Sequence, residues 1–114
     1  MTTTVEDRLE HALHEMEMMV DPLADAKAKL ASLDNSTKSV IAVAMKDAQR
    51  GGHSAVSAQE REARASDALR VHLDGLTEAV RDYERKRLRY DVKKLKWETW
   101  RSRMSFEKTM AGLR

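Results

Sequence analysis

Between Lys93 and Arg103 the chain reads KKLKWETWRSR, so that Lys93, Lys94, Lys96, Arg101 and Arg103 surround Trp97 and Trp100. Cations beside indoles are suited to one kind of chemistry, the recognition of a polyanion that carries flat rings. Lysine and arginine follow phosphates and release condensed counterions, while aromatic faces stack on bases without reading a sequence. A second reading of the same residues is architectural. Tryptophan and tyrosine are favoured at protein interfaces, and a run of charge is commonly a solvated helix face. The residue types alone leave both readings open.

The chain's five aromatics, Tyr83, Tyr90, Trp97, Trp100 and Phe106, all fall in one 24-residue stretch. At 100° per residue, Leu88, Val92, Leu95 and Phe106 share one face of a helix. Tyr83, Tyr90, Trp97 and Met104 recur every seven residues on a different face, roughly 140–180° away. Arg87, Lys94 and Arg101 flank that aromatic row on one side; Lys86 and Lys93 flank it on the other, and Trp100 extends it.

Other chemistry has less to stand on. His11 and His14 lie near Glu10 and Glu15, but no second cluster completes a metal site. Met16, Met18 and Met19 suit an adaptable apolar contact better than a cofactor box. Gly51-Gly52-His53 lacks the strand–loop–helix setting of a phosphate loop. No nucleophile–base pair or carboxylate pair has a defensible spacing, and there is no cysteine. The expectation is a non-enzymatic protein without metal or cofactor.

The elements that must position these residues are helices. One proline, four glycines, 35% charged residues and plentiful Ala, Leu, Glu, Lys and Arg predict an all-α chain of long solvated helices with coiled-coil-like packing. Such helices hide their stripes best against copies of themselves, so a homo-oligomer is expected. Thr4 followed by Glu6 and Asp7 predicts a helix start. An acidic first helix runs to residue 21, where Asp21-Pro22 predicts a break with Asp21 as cap. A middle helix over 22–50 follows, its seam at Leu23, Ala26, Leu30, Leu33, Thr37, Val40 and Ala44 in strict 3-4 spacing. Gly51-Gly52 ends it. After a loop over 51–56, Ser57 and Glu60 form a predicted capping box for a short helix over 57–65. A bend at Ser66-Asp67 leads to a basic last helix over 66–114, with a seam at Leu69, Leu73, Leu76, Val80 and Tyr83. The whole is one helical domain, a hairpin about a glycine-marked loop. No leader peptide and no apolar run of membrane-spanning length is legible, which predicts an intracellular protein.

Charge is divided unevenly. Residues 1–80 hold 9 Lys/Arg against 14 Asp/Glu, a balance of −5, and residues 81–114 hold 12 against 5, a balance of +7. That polarity could join helices of opposite charge, or present a cationic surface to an anionic partner.

Three stretches, AKAKLASLDNSTKSVIAVAMKDAQ, SAQEREARASDALRVHLDGL and LKWETWRSRMSFEK, together resemble small helical proteins encoded beside recombination genes in tailed bacteriophages, and more distantly the UvsY-type recombination mediators. The shared order is a long middle helix, a glycine loop, an SAQERE-like restart and a basic last helix. The resemblance implies a ring-like homo-oligomer of roughly six to eight subunits in the host cytoplasm. It implies sequence-nonspecific binding of single-stranded DNA, in aid of loading a recombinase onto strands covered by single-strand-binding protein. It also implies a DNA contact from basic residues near the end of the middle helix, a place held here by Lys46 and Arg50. The acidic helix over residues 5–20 departs from the family pattern. Two other functions remain open at this point: a structural or adaptor oligomer whose basic helix meets acidic protein partners, and an inhibitor of a host nuclease or defence complex.

Overall fold

The computed structural model describes residues 4–113. Three helices account for nearly all of them: α1 over Val5–Arg50, α2 over Val56–Arg64 and α3 over Asp67–Gly112. No strand occurs among the described residues. The all-α expectation holds.

The predicted start of α1 is present as a reciprocal cap. The Asp7 amide donates to Thr4 Oγ1 at 3.0 Å and the Thr4 amide donates to Asp7 Oδ2 at 3.2 Å. The predicted break at Asp21-Pro22 is absent, because α1 continues for 46 residues with Pro22 inside it. The reason lies in the seam. Val5, Leu9, Ala12, Met16, Met19 and Leu23 already follow the 4-3 spacing that Ala26, Leu30, Leu33, Thr37, Val40 and Ala44 continue, and every one of them is buried or half-buried. Pro22 falls on the exposed side of that pattern, where the carbonyl deprived of its amide partner can take water.

The glycine stop is as expected. Gly52 has φ +106°, its amide donates to the Gln49 carbonyl at 3.1 Å, and the His53 amide donates to the Ala48 carbonyl at 3.0 Å. Those two bonds are the Schellman pattern that satisfies the last carbonyls of a helix. The predicted Ser57–Glu60 capping box does not form. Helix α2 begins one residue earlier, capped by Ala55 with no side-chain bond. Buried Gln59 anchors the loop instead, its amide nitrogen donating to the carbonyls of His53 at 3.0 Å and Ser54 at 3.3 Å. At Ser66 the chain does break. The Leu69 amide donates to Ser66 Oγ, and that hydroxyl donates to the Ala63 carbonyl at 2.6 Å, so one serine joins the end of α2 to the start of α3.

The chain divides into two compact units, one of Met1–Asp25 with Glu84–Arg114 and one of Ala26–Tyr83. In the central unit α1 and α3 run antiparallel: Thr37 meets His72, while Leu30, one heptad earlier, shares a groove with Leu76, Val80 and Tyr83. The seam of α3 here is Leu69, His72, Leu76, Ala79 and Tyr83. Leu73 and Val80, expected inside, are exposed. Small and polar side chains occupy their places because the close approach of two helices favours alanine, and because His72 finds Thr37 Oγ1 at 2.9 Å. Ala63 of α2 is the most deeply buried of the described residues, at 0% exposure.

The terminal unit repeats the antiparallel pairing, with Arg8 against Trp100 and Glu15 against Lys93. Its core is thin: Leu9, Ala12 and Met16 are its buried apolar residues among those described.

Candidate nucleic-acid interface

In the terminal unit α3 continues its 3-4 repeat through Lys86, Tyr90, Lys93, Trp97, Trp100 and Met104, all half-buried. The aromatic row is therefore the seam, turned toward α1. The aliphatic row Leu88, Val92, Leu95 and Phe106 lies on the exposed side.

The indole faces carry guanidinium groups. Arg101 sits over Trp97 at 4.9 Å, and Arg8 and Arg103 both stack on Trp100, at 4.5 and 4.8 Å. Such contacts are favourable through the ring quadrupole and are typical of arginine. Arg8 is the one Lys or Arg in the first 26 residues. Its role escaped the sequence reading, since nothing in residue spacing tells which residue of α1 meets Trp100.

Lys93 is withdrawn into the seam and forms an ion pair with Glu15, whose carboxylate also contacts His11. The Lys93 hydrogen bond is the main reason that the Glu15 carboxyl titrates below its ordinary range, aided by the charges of Lys93 and His11. Lys94, Lys96, Arg101 and Arg103 are exposed. They form two rows at seven-residue spacing: Lys94 and Arg101, extended by Lys108, and Lys96 and Arg103, preceded by Arg89. Arg87, at the head of the first row, is engaged by Glu84 at 2.7 Å and Asp91 at 3.3 Å. Lys46 and Arg50 are exposed too, but belong to the central unit, and Arg50 lies 3.8 Å from Asp47.

Between α1 and α3 of the terminal unit runs an open groove of about 550 Å³. Ala12, Val92 and Leu95 line it beside the charged or polar Asp7, Arg8, His11 and Lys96. The arrangement can attract anions along exposed cation rows at helical pitch. The indoles are already engaged by guanidinium groups, one over Trp97 and two over Trp100. Among the described residues no group of three His, Asp or Glu could hold a metal ion, and no helix is long and apolar enough to cross a membrane. No family model, characterised protein or solved structure matches this chain.

Proposed function

We propose that this protein is a non-catalytic, sequence-nonspecific binder of single-stranded DNA that works as a homo-oligomer, in the manner of a phage recombination accessory protein. The observation that carries the binding reading is the pair of exposed cation rows, Lys94, Arg101 and Lys108, and Lys96 and Arg103, on a helix otherwise held by its aromatic seam. In this reading phosphates run along the rows, and Trp97 and Trp100 fix the rows in place and hold the guanidinium groups outward. Lys46 and Arg50 add a second cationic contribution. The recombination role, with a recombinase and single-strand-binding protein as partners, rests on the family resemblance alone.

Fluorescence polarisation with labelled oligo(dT) tests the binding. Five exposed cations contacting five phosphates give a slope of about −3.5 in log K against log salt, a loss of roughly a hundredfold between 50 and 200 mM. Lys94→Glu with Arg101→Glu should abolish most of that binding. A variant that binds as tightly as the parent, with the same salt slope, refutes the assigned surface.

The exposed aliphatic row favours a second reading, an adaptor whose basic helix docks on an acidic protein helix. That reading expects no salt-sensitive binding to oligo(dT).

A further inference from the structure

The exposed side of α3 in the terminal unit carries a second, unoccupied heptad seam. Leu88, Val92, Leu95, Thr99, Ser102 and Phe106 follow one another at spacings of four, three, four, three and four. They stand roughly 180° from the aromatic seam by helical geometry. The four apolar members are half to two-thirds exposed: Leu88 54%, Val92 50%, Leu95 62% and Phe106 64%. Val92 and Leu95 also line the groove beside α1, so that groove borders the same uncovered face.

The flanks of this seam differ in sign. Glu84, Asp91 and Glu98 recur every seven residues along one side, and Arg89, Lys96 and Arg103 along the other. In coiled-coil terms Val92, Thr99 and Phe106 hold the a positions, Leu88, Leu95 and Ser102 the d positions, the acids g and the bases e. Two parallel copies in register place each g residue beside the e residue five positions further along the partner. Glu84 then meets Arg89, Asp91 meets Lys96, and Glu98 meets Arg103, and the twofold axis makes each pair twice. Antiparallel copies would set acid against acid and base against base. Over residues 88–99 the seam has β-branched Val92 and Thr99 at a with Leu88 and Leu95 at d, the combination that favours two parallel strands.

We infer that a second copy of this chain covers this face, joined through a parallel, in-register α3–α3 seam from Leu88 to Phe106 with acid-to-base flanks. The inference rests on and deepens the oligomer part of the proposed function, and it needs no bound strand. The seam starts after Arg85, which as an a residue would confront its own copy. Glu84 and Asp91 exchange part of their contact with Arg87 for the partner's bases. The row of Lys94, Arg101 and Lys108 stays outside the seam and open to phosphates, whereas Lys96 and Arg103 of the second row are shared between phosphate and the partner's acids.

Sedimentation equilibrium of the full chain without nucleic acid tests the inference. The parent should sediment as a dimer or a multiple of one. Leu95→Glu, at a position more exposed than buried, should keep its helicity and drop to the monomer. Asp91→Lys should weaken association about tenfold, two exposed pairs being lost and made repulsive. Adding Lys96→Glu should restore it. Because the chain has no cysteine, Ser102→Cys reports direction: it should form an interchain disulfide on mild oxidation only if the strands are parallel and in register. A monomeric parent at 100 µM (~100 µM being far above a useful affinity), an unchanged Leu95→Glu assembly, no recovery in the charge exchange, or a dimer that fails to cross-link would each overturn it. These association tests are made without nucleic acid, so a failed seam leaves the row of Lys94, Arg101 and Lys108 and its oligo(dT) measurement standing, and the two proposals fail separately.

Discussion

Replacing Pro22 with alanine should make this protein more stable. Pro22 lies 17 residues past the start of a 46-residue helix, where it removes the amide that would bond to the Met18 carbonyl and presses its ring on that carbonyl. An interior proline costs about 3 kcal/mol relative to alanine. The site is exposed, so water already relieves the Met18 carbonyl in part, and we expect a gain of about 2–3 kcal/mol. For a chain of this size that raises Tm by roughly 8–12 °C. Melts followed by helical circular dichroism should be made at equal protein concentration, since self-association also moves Tm. Asp21→Ala is the companion. In a continuous helix Asp21 is an exposed interior residue, and alanine should be neutral or better by about 0.5 kcal/mol. Were residues 21 and 22 a helix junction instead, Asp21 would be a cap and its loss would cost about 1 kcal/mol. An unmoved Tm in Pro22→Ala together with a lowered one in Asp21→Ala would refute the unbroken helix.

Three further outcomes follow from local geometry. Gly52→Ala should cost about 1–2 kcal/mol because its φ of +106° strains any side chain, whereas Gly51→Ala, whose new Cβ meets only carbonyls at 3.5 Å, should be close to neutral; chemical denaturation distinguishes them. Ser66→Ala should lower stability by about 1 kcal/mol in the same assay, with amide exchange quickening at Leu69 as the cap is lost. Glu15→Gln should destabilise at neutral pH and converge with the parent in acid. A carboxyl depressed in the folded state contributes stability above its unfolded value, near 4.5, and loses it as pH falls through the lower folded value, so urea midpoints of parent and variant should meet below that range.

Helix content was legible because proline and glycine are few and because the middle seam keeps its phase across Asp34-Asn35-Ser36. The same seam runs unbroken through Met19 and Leu23. Aspartate before proline is a local boundary signal, and the longer-range 3-4 repeat overrides it. In α3 leucine and valine carry the stronger apolar signal, which points to Leu73 and Val80, whereas His72 and Ala79 are the residues turned inward. Helix packing here prefers the small residue and the one with a polar partner. The cation rows were visible as seven-residue spacings. The stacking of Arg8 on Trp100 and the pairing of Glu15 with Lys93 were not, because each depends on which turn of α1 faces which turn of α3.

A repeat of seven is blind to a slip of seven. Two helices whose contact residues recur at that interval can be offset by one full period and still match leucine to leucine. The Thr37–His72 bond in the central unit removes this degeneracy. An offset of one period would bring His72 opposite Leu30 or Ala44, where no hydroxyl awaits the imidazole nitrogen. Giving up that bond in a half-buried layer costs about 0.5–1.5 kcal/mol. A single weakly apolar layer thus acts as a vernier mark, admitting one alignment of two rods that their oily residues alone would let slide.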